Sequence, residues 1–230
     1  MQALFALSEA GIFHRDISTG NLLLRRLPGP EGKLQGVLGD FDLAIDMKDE
    51  DKRGTPHLHR TGTLPFLAIS LLDQLKQPEL RFSYMLRFDL ESCIYVFLWD
   101  AMYHPEGRNT PKSRIEETNE LLDLWLSSDP SILSGSKGDL SRDFLTIYVP
   151  DESKESFPYL FQCRMQLKRL LNSLHLGYST WEWEATEGEL DASAEQWGDL
   201  CGRFTFSTVL KHFKAVQSAL TELPPPSAKS

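Results

Sequence analysis

The feature that most constrains this chain is a charged cluster near its start, His14-Arg15-Asp16, followed after four residues by Asn21. A carboxylate at Asp16 is able to accept a proton from a substrate hydroxyl. An amide oxygen at Asn21 is a hard ligand of the kind that Mg²⁺ prefers. The spacing places a base and a cation ligand in one short loop, so the loop is a candidate site for general-base chemistry beside a bound cation.

Composition and charge narrow the class of protein. The chain has 230 residues, of which 41% are hydrophobic and 25% charged, enough for one large packed domain or two small ones. The net charge is −9 and the isoelectric point is near 5.2. This balance argues against a general nucleic-acid binder and against a protein of anionic membrane surfaces.

The cysteines and the hydropathy pattern indicate the compartment. The three cysteines, Cys93, Cys163 and Cys201, are far apart and lack metal-ligand spacing, which favours buried or partly buried free thiols. No cationic signal region follows Met1, and the longest apolar stretch, residues 93–99, is far shorter than the roughly 18 residues that span a bilayer. We therefore expect an intracellular protein, cytoplasmic or nuclear, with neither nucleic acid nor membrane as a partner.

A small β-hairpin is predicted near residues 22–39. Two short apolar runs, residues 21–25 and 37–39, flank a dense turn signal at residues 28–32. The second run leads directly into Asp40-Phe41-Asp42. A carboxylate at Asp40 could hold Mg²⁺ together with Asn21, while Phe41 would pack inward and set the position of this loop.

Helix is predicted for most of the rest. Residues 1–10 form a helix that ends at Gly11, residues 89–103 form a buried helix, and residues 160–175 form a helix that ends at Gly177. The remaining predicted helices cover residues 67–76, 113–127 and a last segment with Phe206, Val209, Leu210 and Phe213 on one face. The pattern predicts a polar mobile loop over 46–61, a surface turn over 135–138, an acidic surface segment over 181–197 and a Pro-rich tail over 221–230.

In their order and context, these motifs resemble the catalytic half of a protein kinase, and more narrowly the fungal-type protein kinase family. The resemblance covers roughly residues 1–105, and beyond them it depends on helical character alone. The residues that carry it are 14–18 with Gly20 and Asn21, 39–44, Gly62 with Thr63, 65–68, 89–92 and 95–99.

The resemblance implies a fold and an activity. The fold would be a mainly helical kinase C-terminal lobe over residues 1–220, with the small hairpin near the catalytic loop and the N-terminal lobe absent. The activity would be transfer of a phosphoryl group from ATP, with Mg²⁺, to a hydroxyl of a protein substrate.

The resemblance also implies a role for each matched position. Asp16 would be the catalytic base, and Asn21 and Asp40 the Mg²⁺ ligands. Five further residues would support them. His14 would pack behind Phe41, Arg15 would steady the mobile loop by pairing with a phosphate, Thr63 would lie near Asp16, and Asp89 would hold the catalytic loop's backbone.

Three positions depart from the usual kinase pattern. Asp42 stands where most kinases have Gly, and Ser18 stands where serine/threonine kinases have a Lys near the γ-phosphate. Residues 68–70 read Ala-Ile-Ser in place of Ala-Pro-Glu, which removes a structural ion pair with a later Arg. Peptide specificity is therefore open.

The largest departure is that no Gly-rich loop, phosphate-gripping Lys or partner Glu precedes the catalytic loop. We expect the isolated chain to transfer phosphate poorly or not at all. We also expect an exposed apolar face around residues 22–24 and Phe41, where an N-terminal lobe or partner chain would bind. The alternatives are a non-catalytic pseudokinase or interaction module, a fragment of a larger kinase, and, least favoured, a small-molecule phosphotransferase.

Overall fold

The computed structural model describes residues 1–28, 32–48, 62–77, 84–103, 123–144, 149, 158–187 and 198–221. The described residues are mainly helical, with two small two-stranded sheets. The chain divides into two compact units. The first unit comprises Met1–Asp100 and Trp125–Gly135, and the second comprises Ala101–Leu124 and Ser136–Ser230.

The first unit begins with helix α1, Gln2–Ala10, which ends at Gly11 as the sequence predicts. Gly11 adopts a left-handed backbone, with φ of 81°, and its N–H bonds the carbonyl oxygens of Leu7 and Ser8. A residue with a Cβ would be strained in this conformation. Strand β1, Ile12–Phe13, follows at once and delivers the chain to His14.

The predicted hairpin is present. Strand β2, Leu22–Arg26, pairs antiparallel with β3, Leu34–Leu38, in a register that sets Leu22 opposite Leu38. All five residues of β2 are exposed. After the hairpin the chain returns as strand β4, Ile45–Asp46, which pairs antiparallel with β1. Strands β1 and β4 thus bring together the two ends of a segment that contains the hairpin, residues 40–42 and residues 14–21. Residues 14–21 are called the catalytic loop, after the kinase motif that they resemble.

Helix α3, Leu86–Tyr103, is the buried helix that the sequence predicts. Its apolar side chains point in several directions, because the helix is surrounded by other parts of the protein. Its fully buried apolar residues include Phe88, Leu90, Ile94, Tyr95 and Leu98. A 3₁₀ turn at Leu64–Phe66 and helix α2, Ile69–Lys76, precede it, so the helix predicted for residues 67–76 is also present.

Three long helices lie further along the described chain: α4, Pro130–Asp143, α5, Pro158–Glu187, and α6, Phe206–Thr221. Helices α5 and α6 pack against each other within the second unit. Pro158 occupies the first position of α5, where its missing N–H costs nothing. None of the helices in the described ranges is long and apolar enough to cross a membrane.

The structure corrects two predictions. Gly177 does not end a helix, since α5 continues to Glu187. A Cβ at this glycine would lie 2.7 Å from the Cβ of Leu200, so its small size serves a close contact. Residues 135–138 are not a surface turn, because they lie within α4, where Ser136 and Lys137 are buried.

Several predictions concern residues outside the described ranges. These are the loop over 49–61, most of the helix over 113–127, the acidic segment beyond residue 187 and the tail beyond residue 221.

Candidate active site

The catalytic loop is anchored on a buried carboxylate. Asp89, in the first turn of α3, is only 1% exposed. Its Oδ2 accepts the backbone N–H of His14 at 2.8 Å, and its Oδ1 accepts that of Arg15 at 3.0 Å. Arg15 has a left-handed backbone, with φ of 71°, which is strained for a residue with a side chain. The two bonds hold the loop in this shape and supply donors that a buried carboxylate requires.

Tyr84 completes the surroundings of Asp89. Its hydroxyl donates to Asp89 Oδ1 at 2.8 Å, and the Arg15 guanidinium carbon lies 5.5 Å from its ring centre. Burial raises the pKa of Asp89, and the hydrogen bonds from Tyr84, His14 and Arg15 oppose that shift. Burial, and then the charge of Asp89, raise the pKa of Tyr84 well above its usual value, so its hydroxyl remains a donor at neutral pH.

The Asp16 carboxylate is held from two sides. Its Oδ1 accepts both the backbone N–H of Thr63, at 2.8 Å, and the Thr63 hydroxyl, at 2.9 Å. Its Oδ2 accepts a bond of 3.0 Å from the Asn21 amide nitrogen, which also donates to the Asp16 carbonyl at 2.9 Å. The catalytic loop and the segment after Gly62 therefore meet at this one side chain.

Gly62 makes that meeting sterically possible. Its φ of 104° lies in the region that favours glycine, and a Cβ there would lie 2.9 Å from the carbonyl oxygen of Arg15 and 2.7 Å from a methyl of Leu67. Both distances are shorter than real contacts allow. Any side chain would push Thr63 away from Asp16.

The His14 ring connects the catalytic loop to the residues after the hairpin. Its Nε2 lies 2.9 Å from the carbonyl oxygen of Gly39, which makes Nε2 the protonated nitrogen. Its Nδ1 then accepts the N–H of Asp16 at 3.4 Å. The ring centre lies 4.8 Å from that of Phe41 in an edge-on arrangement. Phe41 is 45% exposed, so it packs against His14 with one part of its ring only.

Asp40 comes directly after Gly39, whose backbone bonds that of Asn21. The Gly39 N–H donates to the Asn21 carbonyl at 2.9 Å, extending the hairpin by one bond. Asp40 itself is exposed and has a left-handed backbone, with φ of 59°. Its Oδ1 accepts a long bond of 3.4 Å from the N–H of Asp42.

The donor set of Asn21 and Asp40 fits Mg²⁺. The two acceptor oxygens beside the Asn21 side-chain nitrogen identify it as Nδ2, so the amide's Oδ1 is the oxygen that a cation would meet. Asp40 offers an exposed carboxylate. Mg²⁺ commonly takes only one or two protein oxygens and completes its shell with water and substrate phosphates. Among the described residues, no group of three or more His, Cys, Asp or Glu side chains forms a metal site.

A second buried carboxylate on α3 was missed by the sequence analysis. Glu91 lies 3.6 Å from Arg87, and both side chains are fully buried. Its Oε1 accepts the N–H of Ile69 at 2.7 Å and the hydroxyl of Tyr95 at 2.8 Å. The predicted loss of an ion pair at residues 68–70 is thus accompanied by a different pair within α3. The four-residue spacing of Arg87 and Glu91 is the signal that could have revealed it.

One comparison with known protein families gives a match, and the match includes this part of the chain. Residues 1–101 match the family model described as fungal protein kinase. The resemblance to the fungal-type protein kinase family is confirmed for these residues. No curated protein matches the chain closely enough to count as a relative.

Proposed function

We propose that the first unit carries the phosphoryl-transfer site of a protein kinase, which uses ATP and Mg²⁺ to phosphorylate a serine or threonine hydroxyl of a protein substrate. We propose further that residues 1–220 correspond to a kinase C-terminal lobe. The observation that carries the proposal is the Asp16 carboxylate, held by Thr63 and Asn21 in a loop anchored on Asp89. The match of residues 1–101 to the fungal protein kinase family supports it.

In this proposal Asp16 orients the substrate hydroxyl and accepts its proton. Its position is fixed by the Thr63 and Asn21 bonds, so the hydroxyl would meet a carboxylate that needs little rearrangement. A positioned base of this kind contributes about 10²- to 10⁴-fold in rate. Thr63 also places the segment after Gly62 beside the base, where a substrate chain would lie.

Asn21 and Asp40 would hold the cation. Bound there, Mg²⁺ would neutralise charge on the phosphates during transfer. Asp40 stands one residue beyond the Gly39–Asn21 backbone bond, so both oxygen ligands belong to the end of the same hairpin. Their separation therefore depends on a short, directly bonded piece of backbone.

Cation binding tests these ligands without requiring turnover. Mn²⁺ should broaden the amide NMR signals of Asn21, Gly39 and Asp40 at concentrations where Asp40→Asn shows no broadening. Asp42→Asn is the matched control, because Asp42 is an exposed carboxylate in the same loop. Equal broadening in the Asp40→Asn variant would reject the assignment.

The transfer reaction tests Asp16. The 230 residues include no Gly-rich loop and phosphate-gripping Lys of the usual kind, so we predict weak transfer from labelled ATP. Whatever transfer is measured should fall to background in Asp16→Asn and persist in Asp46→Asn, an exposed control. Strong transfer that Asp16→Asn abolishes would contradict the predicted weakness but support the site. Transfer that survives in Asp16→Asn would reject the proposed function.

The hairpin supports a binding role alongside the catalytic one. Leu23, Leu24 and Leu34 are 54%, 73% and 60% exposed. Exposed apolar side chains grouped on one small element favour an interaction surface. We propose that this surface binds the N-terminal half of a kinase site, whether from the same or another chain.

The same exposure favours the second candidate, a non-catalytic interaction module. The two candidates separate cleanly in the experiments above. A module of that kind would bind a partner through the hairpin and show no Mn²⁺ effect at Asp40, whereas a kinase site requires the cation.

A further inference from the structure

Helix α3 carries two buried carboxylates in its first two turns, and each holds a different segment of the site. Asp89 holds the catalytic loop at His14 and Arg15, and Glu91 holds the N–H of Ile69. We propose that Glu91 is a positioning residue that fixes Thr63 against Asp16 by anchoring the far end of the segment from Gly62 to Ile69. This inference rests on the proposed function, since it concerns the placement of the base.

The contact with Ile69 is specific in its chemistry. Ile69 is the first residue of α2, and the first N–H groups of a helix have no partner within the helix. The residue before it, Ala68, provides no side-chain cap. Glu91 supplies the missing acceptor from another helix, and its negative charge also suits the positive end of the α2 dipole.

The segment between the two fixed points is short and rigid. At one end Thr63 bonds Asp16, and at the other Ile69 bonds Glu91. Between them, the N–H of Phe66 bonds the carbonyl of Thr63, and that of Leu67 bonds the carbonyl of Leu64. Leu64, Phe66 and Leu67 are all buried. A displacement at Ile69 is therefore transmitted to Thr63 because little of the segment is able to absorb it.

An ion pair and a hydrogen bond fix the position of the buried Glu91 carboxylate. Arg87 lies 3.6 Å from one carboxylate oxygen, and the Tyr95 hydroxyl bonds the other at 2.8 Å. The Arg87 guanidinium also reaches the Ser70 hydroxyl at 3.4 Å. Removing one member of such a buried pair leaves the other charge uncompensated. A merely structural Glu91 would thus affect the stability of the whole first unit, whereas a positioning Glu91 affects Ile69 and Thr63 most.

Amide hydrogen exchange separates these two roles. In Glu91→Gln, the amides of Ile69 and Thr63 should exchange about tenfold faster, relative to the amides of strands β2 and β3, because a neutral acceptor replaces a charged one. Asp73→Asn is the matched control, since it makes the same acid-to-amide change one turn further along α2, at a carboxylate that bonds Ser134 and Lys76 instead of the Ile69 N–H. In that control the Thr63 amide should keep its exchange rate. Uniform acceleration throughout the first unit, or acceleration of Ile69 without Thr63, would overturn the proposal.

The unaltered protein gives an independent test if Glu91→Gln does not fold. In low concentrations of denaturant, Ile69 and Thr63 should exchange through one shared opening that is easier than the opening of the α3 core amides. Separate openings for the two amides, or an opening shared with the entire first unit, would overturn the proposal. Neither measurement uses ATP, so loss of the shared opening would remove the role of Glu91 and leave the proposed function standing. Conversely, a chain without phosphoryl transfer would still show the shared opening.

Discussion

The two compact units keep different kinds of residue in their interiors. Among its described residues, the first unit buries five side chains of the acidic, basic or histidine type, His14, Arg15, Arg87, Asp89 and Glu91. Among the described residues, the second buries mainly apolar side chains, of which leucine is the most frequent type, together with Lys137. The leucines in its interior include Leu140, Leu160, Leu167, Leu170, Leu171 and Leu174.

The difference shows how strictly each interior specifies the residue types that it contains. A buried carboxylate such as Asp89 is stable only while donors with the right direction surround it, so the chemical type of the residue is fixed. An apolar interior chiefly requires side chains of suitable volume and shape. The family match over residues 1–101 lies almost wholly in the first unit, where directional contacts fix residue types.

The largest loss of stability is expected from a substitution in the first unit that keeps the shape of the side chain but alters its hydrogen bonding. Asp89→Asn has nearly the volume of the original, yet its NH₂ must face either His14 or the Arg15–Tyr84 pair, which are all donors. Leaving buried donors unpaired should lower the free energy of unfolding by about 3 kcal/mol. Urea denaturation near neutral pH measures it. Asp42→Asn is the exposed control, and equal losses in both variants would remove the contrast.

A shape-conserving change in the second unit should cost much less. Leu171→Met keeps the volume of a fully buried side chain in α5 and should lower the free energy of unfolding by about 1 kcal/mol. Leu171→Ala should cost about 3 kcal/mol, because it leaves a cavity. The same urea titrations compare the three proteins. A Met variant as damaged as the Ala variant would mean that this interior also depends on precise fit.

The hairpin should behave as neither interior does. Leu24 is 73% exposed, so Leu24→Ser should change the free energy of unfolding by no more than about 0.5 kcal/mol. It should nevertheless reduce the fluorescence of a dye that binds exposed apolar surface. Leu90→Ser, in the core of α3, is the contrasting variant and should destabilise strongly. Unchanged dye fluorescence in Leu24→Ser would count against the hairpin as an interaction surface.

The smallest effect concerns pH and the second unit. Burial, and then the charges of Lys211 and Arg169, lower the pKa of His212 below its usual 6.5. Between the folded-state pKa and the unfolded-state pKa of about 6.5, the folded protein binds fewer protons at His212 than the unfolded protein does. His212 therefore costs no stability above pH 6.5. The free energy of unfolding falls as the pH drops from there through the folded-state pKa. Melting temperatures at about pH 7.5 and about pH 5.5 should differ slightly less in His212→Gln than in the unaltered protein. A difference that is unchanged in the variant would exclude His212 as a source of pH dependence.

The hairpin and the buried helix of the first unit could be predicted from the sequence, because local patterns of residues determine them. Turn residues between two apolar runs predicted the hairpin, and a long apolar segment predicted the buried helix α3. Both signals come from neighbours along the chain. The structure also brings Thr63 to Asp16, 47 residues away in the sequence, where Asn21 bonds the same carboxylate.

The misses have other causes, because Gly177 and Glu91 depend on contacts between distant segments and Tyr84 depends on a single side-chain hydrogen bond that no sequence pattern indicates. Gly177 resembles a helix stop, but its meaning is set by Leu200 lying against it. The roles of Glu91 and Tyr84 are set by the N–H of Ile69 and by the carboxylate of Asp89. Tyr84 has no local signal at all beyond its position five residues before Asp89.

The bonds at Asp16 also determine the direction from which an acceptor is able to approach. A carboxylate has about four lone-pair sites, and Thr63 and Asn21 together use three of them. The site that is left belongs to Oδ2, on the side of Asn21. On the proposed function, a hydroxyl carried by a docked chain reaches this site along one path, while a water molecule has no docking contacts to hold it there. The resting geometry of the loop would therefore set the direction from which a substrate hydroxyl reaches the base.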